Sequence, residues 1–163
     1  MPELPEVETT VRGLARVLEG RRITRVEAAL LSDFCAAGVV PVIPCSALDD
    51  KEHWLNINAD TAAAAVAANL RAEKLVLLTD TPGILLDRSA ENSLVRSLDD
   101  AGCRRLIAEG TIEEGMIPKV EACLESLRAG VRKTHMVDGR VRHSLLLEIY
   151  TDHGVGTEIT LNP

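Results

Sequence analysis

Apolar residues recur at helical spacing in several segments of the chain. In the first segment, residues 3–18, Val7, Val11 and Leu14 are three or four residues apart, and Gly20 follows the end. A helix with one apolar face is therefore predicted at the N-terminus. The same reasoning, helped by Gly110, Gly130 and the Ala-rich composition of one segment, predicts further helices over 28–37, 60–70, 97–109, 116–129 and 142–150.

Shorter apolar runs, rich in β-branched residues, predict strands between these helices. Residues 39–43 are predicted to form a buried strand, and 53–58 its returning partner after a turn at 49–50. Further strands are predicted over 23–26, 74–79 and 134–137. Strands that alternate with helices indicate an α/β fold, here a three-layer αβα arrangement with a mostly parallel sheet and an added N-terminal helix. Ligands of such sheets bind beyond the carboxyl ends of the strands, which directs attention to 80–83 and 111–115.

Composition and charge narrow the class of protein. The 163 residues carry a formal net charge of −7, which argues against a protein dedicated to binding nucleic acid. The chain shows no apolar run of membrane-spanning length and no signal-peptide pattern, so a cytoplasmic location is expected. The four cysteines are too far apart for zinc-ligand spacing, which predicts buried small side chains and no protein-bound metal.

The start of the helix predicted near Met116 is a candidate anion site. Backbone amides at a helix N-terminus carry partial positive charge, Gly115 allows close approach of a ligand, and Lys119 lies in the first turn. An ordinary helix start with a solvated lysine is the alternative.

Asn56, Asn58 and Asp60 form a second candidate cluster. The two asparagines would share one face of a strand, with Asp60 at the start of the next helix. The alternative is an Asx turn, with Asp60 as the helix cap.

Several blocks of the chain, from about residue 22 to 159, resemble the second half of acetylglutamate kinases. They are Leu-Asn-Ile-Asn-Ala-Asp-Thr-Ala-Ala-Ala at 55–64, Ala-Glu-Lys-Leu-Val-Leu-Leu-Thr-Asp-Thr-Pro-Gly-Ile-Leu at 72–85, and Gly-Met-Ile-Pro-Lys-Val-Glu-Ala-Cys-Leu at 115–124. The tail continues the resemblance at 138–141, 144–152 and 154–157. The blocks occur in the order and at the spacing of that family.

The resemblance implies roles for individual residues. Asn56 would hold the acylamino-acid substrate, Asp60 would position the catalytic lysines, and Lys119 would neutralise charge on the transferred phosphoryl group. The cofactor implied is ATP with Mg²⁺, and the substrate is N-acetyl-L-glutamate. The residues implied for nucleotide binding are Asp80, Thr81, Pro82, Gly83, Ile84, Leu85, Thr111, Ile112, Glu113, Gly115 and Met116.

Two departures from that family affect the expected activity. In acetylglutamate kinases, the first half of the chain carries a strand ending in Lys-Leu-Gly-Gly and a second Gly-rich loop, and together these cradle the phosphates. The present sequence contains no Gly-Gly pair. Instead, residues 1–27, beginning Met-Pro-Glu-Leu-Pro-Glu-Val-Glu-Thr-Thr, resemble the start of formamidopyrimidine-DNA glycosylases. That resemblance implies an amine nucleophile at Pro2 with carboxylates at Glu3 and Glu6.

The sequence therefore predicts a glycosylase-like segment, 1–21, followed by one kinase-like domain, 22–163. The expected function is that of a truncated, chimeric domain that binds ATP or ADP, with weak or absent phosphoryl transfer. Three alternatives stay open: a working kinase completed by a partner, a recombination product without enzymatic function, and DNA lyase chemistry through Pro2. Self-association into a homo-oligomer is also expected, because sheet surface that the missing half would cover is left exposed.

Overall fold

The computed structural model describes residues 26–49, 51, 53–87 and 89–161. The chain divides into two units, Met1–Ala62 and Ala63–Pro163. The predicted N-terminal helix, the predicted boundary at 21/22 and most of the predicted strand 23–26 lie outside the described residues.

Within its described part, the first unit contains one complete helix, one hairpin and the start of a second helix. Its elements are α1 (Ala28–Ala36), β1 (Ser46–Leu48), β2 (Trp54–Asn56) and the start of α2 (Ala59–Leu70). β1 and β2 pair antiparallel, with Ala47 opposite Leu55. Asp49 stabilises the turn, since its carboxylate accepts hydrogen bonds from the amides of Lys51 and His53, both at 2.8 Å.

The strand predicted over 39–43 is wrong. These residues form no regular element, and the side chains of Val40 and Val42 are 85% and 93% exposed. The hairpin does exist, but its first strand begins at Ser46. An apolar run forms a strand only where a neighbouring strand pairs with it, and Pro41 also lacks the N–H for such a ladder.

The second unit is built around a four-stranded sheet. Its remaining elements, besides a short 3₁₀ turn at Glu91–Ser93, are β3 (Lys74–Thr79), β4 (Ser97–Asp99), α3 (Asp100–Ala108), α4 (Ile117–Arg128), β5 (Lys133–Asp138), α5 (Ser144–Tyr150) and β6 (Thr157–Thr160). The strand order is β3-β5-β6-β4. β3 pairs parallel with β5, and β4 with β6, whereas β5 and β6 are antiparallel. The predicted α/β fold with a mostly parallel sheet is confirmed.

One predicted helix in this unit begins too early. The segment 97–109 starts as the strand β4, and the helix follows only at Asp100. Asp99 caps it, because its carboxylate accepts a 2.6 Å hydrogen bond from the amide of Gly102. β4 and its partner β6 are short, and neither was predicted, since their three- and four-residue runs carry little pattern of their own.

The core of the second unit consists of aliphatic, methionine and cysteine side chains. Val120, Met136, Ile159, Cys103 and Cys123 are fully buried. Burial raises the pKa of the Cys103 thiol to about 12. The prediction of buried cysteines is thus confirmed for this pair, but it is wrong for Cys35 and Cys45, which are exposed. Of the helices in the described part of the chain, none has the length and apolar character needed to cross a membrane.

Candidate functional site

Two segments that are 26 residues or more apart in sequence line one pocket of the second unit. The segment after β3 contributes Thr81, Gly83, Ile84 and Leu85, and the segment before α4 contributes Thr111, Ile112, Glu113 and Met116. The pocket measures about 360 Å³, including the part that opens to solvent. Of the residues predicted to contact a nucleotide, Asp80, Pro82 and Gly115 are not part of this lining.

The lining is mainly apolar and carries one ionisable side chain. Ile84 and Ile112 are buried, Leu85 and Met116 are partly exposed, and the carboxylate of Glu113 is at the surface. Neither a lysine nor an arginine is part of it. Such a surface suits a flat, uncharged ring system with hydrogen-bonding edges better than it suits a phosphate chain.

The turn after β3 is positioned by side-chain hydrogen bonds at the end of the strand. The Thr79 hydroxyl donates to the carbonyl oxygen of Thr81 at 2.7 Å and accepts from the Thr81 amide at 3.2 Å. Gly83 follows with φ +142°, a conformation that disfavours any residue with a side chain. A Cβ at this position would lie 2.5 Å from the hydroxyl oxygen of Thr157. Glycine is therefore required both by the turn and by its neighbour.

The second lining segment is held by backbone hydrogen bonds. The amides of Thr111 and Ile112 both donate to the carbonyl oxygen of Leu106, at 3.0 and 3.1 Å. The amides of Met116 and Ile117 donate to the carbonyl oxygen of Glu113, at 2.9 and 3.0 Å. The expectation that amides near Met116 point outward toward an anion is therefore not met at these two positions.

Lys119 lies in the first turn of α4, three residues after Met116, and is partly buried. Pro118 precedes it within the same turn, where its missing N–H disrupts no helical hydrogen bond. Lys119 is thus the cation closest in sequence to the second lining segment.

Asn56 and Asp60 belong to the first unit. Asn56 is the exposed last residue of β2, and Asp60 is a partly buried residue in the first turn of α2. The cap of this helix is Asn58, whose side-chain oxygen accepts from the amides of Asp60 at 2.9 Å and Thr61 at 3.1 Å. Asn58 therefore takes the capping position that the sequence also allowed for Asp60.

The carboxyl ends of β3 and β5 bring together Asp138 and Arg140, to which the sequence gave no role, and Asp80, which the resemblance counted among the nucleotide-binding residues. Arg140 donates two side-chain hydrogen bonds to Asp138, at 3.0 and 2.8 Å, and these lower the pKa of the Asp138 carboxyl. The same hydrogen bonds to Asp138 raise the pKa of Arg140, and the negative charge of Asp80 adds to this effect. The amide of Gly139 donates to the carbonyl oxygen of Thr79 at 2.9 Å and ties the two strand ends together. Parallel strands end at the same edge of a sheet. The aspartates that directly follow the predicted strands 74–79 and 134–137 could therefore have indicated this cluster of charges from the sequence alone.

Pro2, Glu3 and Glu6 lie outside the described residues, so the glycosylase-like chemistry stays a prediction.

Comparisons with known proteins agree with this geometry. The model of the amino acid kinase family matches residues 4–138. The acetylglutamate kinase of Gloeobacter violaceus is 52% identical over 135 residues, which cover 83% of this chain and 45% of that protein. The chain therefore spans about half the length of the curated relatives that it matches.

Solved structures support the same fold. The N-acetylglutamate synthase of Neisseria gonorrhoeae, crystallised with coenzyme A and L-arginine, superimposes with a TM-score of 0.79 at 27% identity, over 86% of this chain and 32% of that one. Giardia carbamate kinase superimposes with a TM-score of 0.63 at 18% identity, over 83% of this chain and 48% of that one, a similarity that shows the fold alone. With the family model matched over residues 4–138, the chain belongs to the amino acid kinase family.

Proposed function

We propose that the pocket of the second unit binds the nucleotide of ATP, and that the chain is the nucleotide-binding part of an acetylglutamate kinase. One observation carries this proposal. The two segments that separately resemble the nucleotide-contacting parts of that family line the same pocket in the structure. The apolar lining would hold the base, and Mg²⁺ would enter bound to the phosphates, as is usual for this ion.

Lys119 is proposed to act on the phosphate side of the site. Phosphoryl transfer depends on positioning and on neutralising charge, and an ammonium in the first turn of α4 supplies a positive charge beside the second lining segment. The resemblance gives Asp60 a role in positioning catalytic lysines and Asn56 a role in holding N-acetyl-L-glutamate. The carboxylate of that substrate would be the phosphoryl acceptor.

Transfer by this chain alone is expected to be weak or absent. The Gly-rich loops that complete the phosphate cradle belong to the half of acetylglutamate kinases that this chain does not resemble. Binding and catalysis should therefore separate experimentally: the second unit binds the nucleotide, and turnover needs the other half of the fold.

Calorimetric titration with MgATP tests the binding step. Wild-type protein should bind saturably, and Lys119→Ala should raise Kd about tenfold or more, as loss of one charge-assisted contact would. Lys74→Ala is the matched control, because Lys74 begins β3 and so lies at the opposite end of that strand from the pocket. No heat at millimolar nucleotide would exclude the proposed function.

A complementation assay tests the catalytic step. The purified chain is mixed with the separately produced first half of the Gloeobacter violaceus relative, and ADP release is followed with and without N-acetyl-L-glutamate. Turnover that depends on both parts and on Asn56 would support a kinase completed by a partner. Binding without turnover in any mixture would restrict the chain to a nucleotide-binding role.

A further inference from the structure

The hydroxyl of Thr157 completes the backbone pairing that forms one wall of the pocket. In a regular antiparallel pair, two opposed residues exchange two backbone hydrogen bonds. Here the amide of Val95 donates directly to the carbonyl oxygen of Ile84, at 2.9 Å. The second hydrogen bond of the pair, from the Ile84 amide to the Val95 carbonyl oxygen, is replaced by two bonds through the hydroxyl of Thr157. This hydroxyl accepts from the Ile84 amide at 2.9 Å and donates to the Val95 carbonyl oxygen at 2.6 Å. A side chain from β6 thus takes the place of the second ladder bond.

The bridge is enclosed by closely packed residues. Thr157 is fully buried, and Ile84 is 2% exposed. The Thr157 hydroxyl also fills the space where Gly83 would carry a side chain. Gly83, Ile84 and Leu85 all line the pocket, so Thr157 is in direct contact with the residues that form its wall.

The segment that delivers Thr157 is itself anchored by a buried carboxylate. Glu148, on α5, accepts hydrogen bonds from the amides of Val155 and Gly156 at 2.7 and 2.8 Å. Its other oxygen lies 2.7 Å from Nδ1 of His135 on β5, with the imidazole as the donor. Gly156 must be glycine, since a Cβ there would collide with the carbonyl oxygen of Met136. The loop before Thr157 is therefore held by hydrogen bonds to Glu148 and packs closely against the backbone of β5 at Met136.

We propose that Thr157 is a positioning residue of the nucleotide pocket: its hydroxyl holds Ile84, and through it the wall 83–85, in the geometry that binds the base. This inference rests on the proposed function. The bridge joins β6 to a loop more than seventy residues earlier in the chain, and the side chain that makes it does not line the pocket. Its effect on a ligand is consequently indirect.

The test compares two buried threonines of the same sheet. Thr157→Val removes the bridging hydroxyl at almost constant volume, and Thr157→Ser retains it. Thr134→Val is the matched control, because Thr134 is fully buried on β5 and makes one long contact, 3.5 Å from its hydroxyl to the carbonyl oxygen of Ile159. The measurements are Kd for MgATP, the urea midpoint and, by NMR, the hydrogen-exchange rate of the Ile84 amide.

We expect Thr157→Val to raise Kd about tenfold and to accelerate exchange at Ile84, while Thr157→Ser stays within about twofold of wild type. Thr134→Val should lower the urea midpoint without changing Kd. A Kd for Thr157→Val equal to that for Thr134→Val, or no rescue by serine, would overturn the positioning role.

Two results keep this inference separate from the proposed function. Wild-type protein that binds no MgATP excludes the function itself. An Ile84 amide that exchanges at the rate of an unprotected amide in wild-type protein excludes the bridge, even if Thr157→Val does not fold.

Discussion

In the described part of the chain, each unit contains a carboxylate within hydrogen-bond distance of a histidine ring nitrogen, and the two pairs differ in what surrounds them. In the first unit Asp49 lies 3.2 Å from Nδ1 of His53, within one hairpin turn, and the side chain of His53 is 70% exposed. In the second unit Glu148 and His135 come from different elements, and their side chains are 4% and 5% exposed. The pKa of each carboxyl is lowered, for Asp49 mainly by the backbone amide of His53. For Glu148, burial opposes the charge, but the hydrogen bonds outweigh it.

The same contrast runs through the packing of the two units. None of the described residues between 26 and 62 is buried, including Val40 and Val42, whereas the second unit buries five of the six residues of β5 and one face of α4. Apolar side chains are present in both. The difference teaches that an apolar sequence stabilises a structure only where a second layer covers it, which here happens on the four-stranded sheet.

The largest expected difference between the units is the reactivity of their cysteines. At about pH 8 we expect iodoacetamide to modify Cys35 and Cys45 at least a hundredfold faster than Cys103. The thiolate is the nucleophile, and Cys103 is fully buried with a pKa of about 12. Mass spectrometry over time measures the rates, and all four cysteines should react in urea. Equal rates in the native protein would show that the core of the second unit opens freely.

The two acid–histidine pairs give the next largest effect. Glu148→Ala removes the acceptor of the partly buried Val155 amide, of the buried Gly156 amide and of His135, and should lower the free energy of unfolding by on the order of 3 kcal/mol. Asp49→Ala also removes an acceptor of two amides, but these lie in a hairpin turn at the surface, where water can replace the carboxylate, so the urea midpoint should fall clearly less than in Glu148→Ala. Similar losses in both variants would mean that burial does not distinguish the two pairs.

The buried pair of Glu148 and His135 predicts that stability depends on pH. Because the folded-state pKa of Glu148 lies below the usual 4.5, the folded protein binds fewer protons than the unfolded chain just below that pH. The stability contributed by Glu148 is therefore complete above about pH 4.5 and is lost as the pH falls through the folded-state pKa. Urea midpoints measured from about pH 3 to 6 should fall less steeply toward acid in Glu148→Gln than in wild type.

A single type of substitution compares the packing of the two units directly. Val120→Ala removes two methyl groups from a fully buried position of α4 and should cost about 2 kcal/mol. Val42→Ala removes the same groups from a side chain that is 93% exposed and should change stability by less than about 0.5 kcal/mol. Urea denaturation measures both, and a cost at Val42 near that at Val120 would reveal a partner surface over residues 39–43.

The smallest effect on stability is expected for the exposed apolar run 39–43, which also bears on self-association. Val40→Asp should leave the urea midpoint almost unchanged but weaken self-association, since exposed apolar side chains promote contact between molecules. Analytical ultracentrifugation compares the variant with wild type. A monomeric wild-type protein at micromolar concentration would contradict the expected homo-oligomer.

Much of the fold could be predicted from local pattern. The strand at 74–79 was predicted with the bounds that the structure has, and α4 within one residue at each end. Both are long and bounded by turn residues. β4 and β6 escaped prediction because they are short and depend on pairing with each other. The strand expected at 39–43 failed for the opposite reason, since its apolar pattern has no pairing partner in the described residues.

The candidate site divides in the same way. The resemblance in sequence named both segments that line the pocket, because each carries its own short motif. It gave no role to Thr157, Glu148 or His135, whose importance lies in contacts to residues far away in the chain.

By itself, the sequence determined the α/β class, most of the helices and the two segments of the pocket, since periodicity, capping residues and motifs act over a few neighbouring residues. Only the tertiary structure decided which apolar runs become core, which histidine–carboxylate pair is buried, and that Thr157 holds Ile84. Those outcomes depend on which surfaces meet, because the same pair of polar groups has a different interaction energy in a buried site and in water.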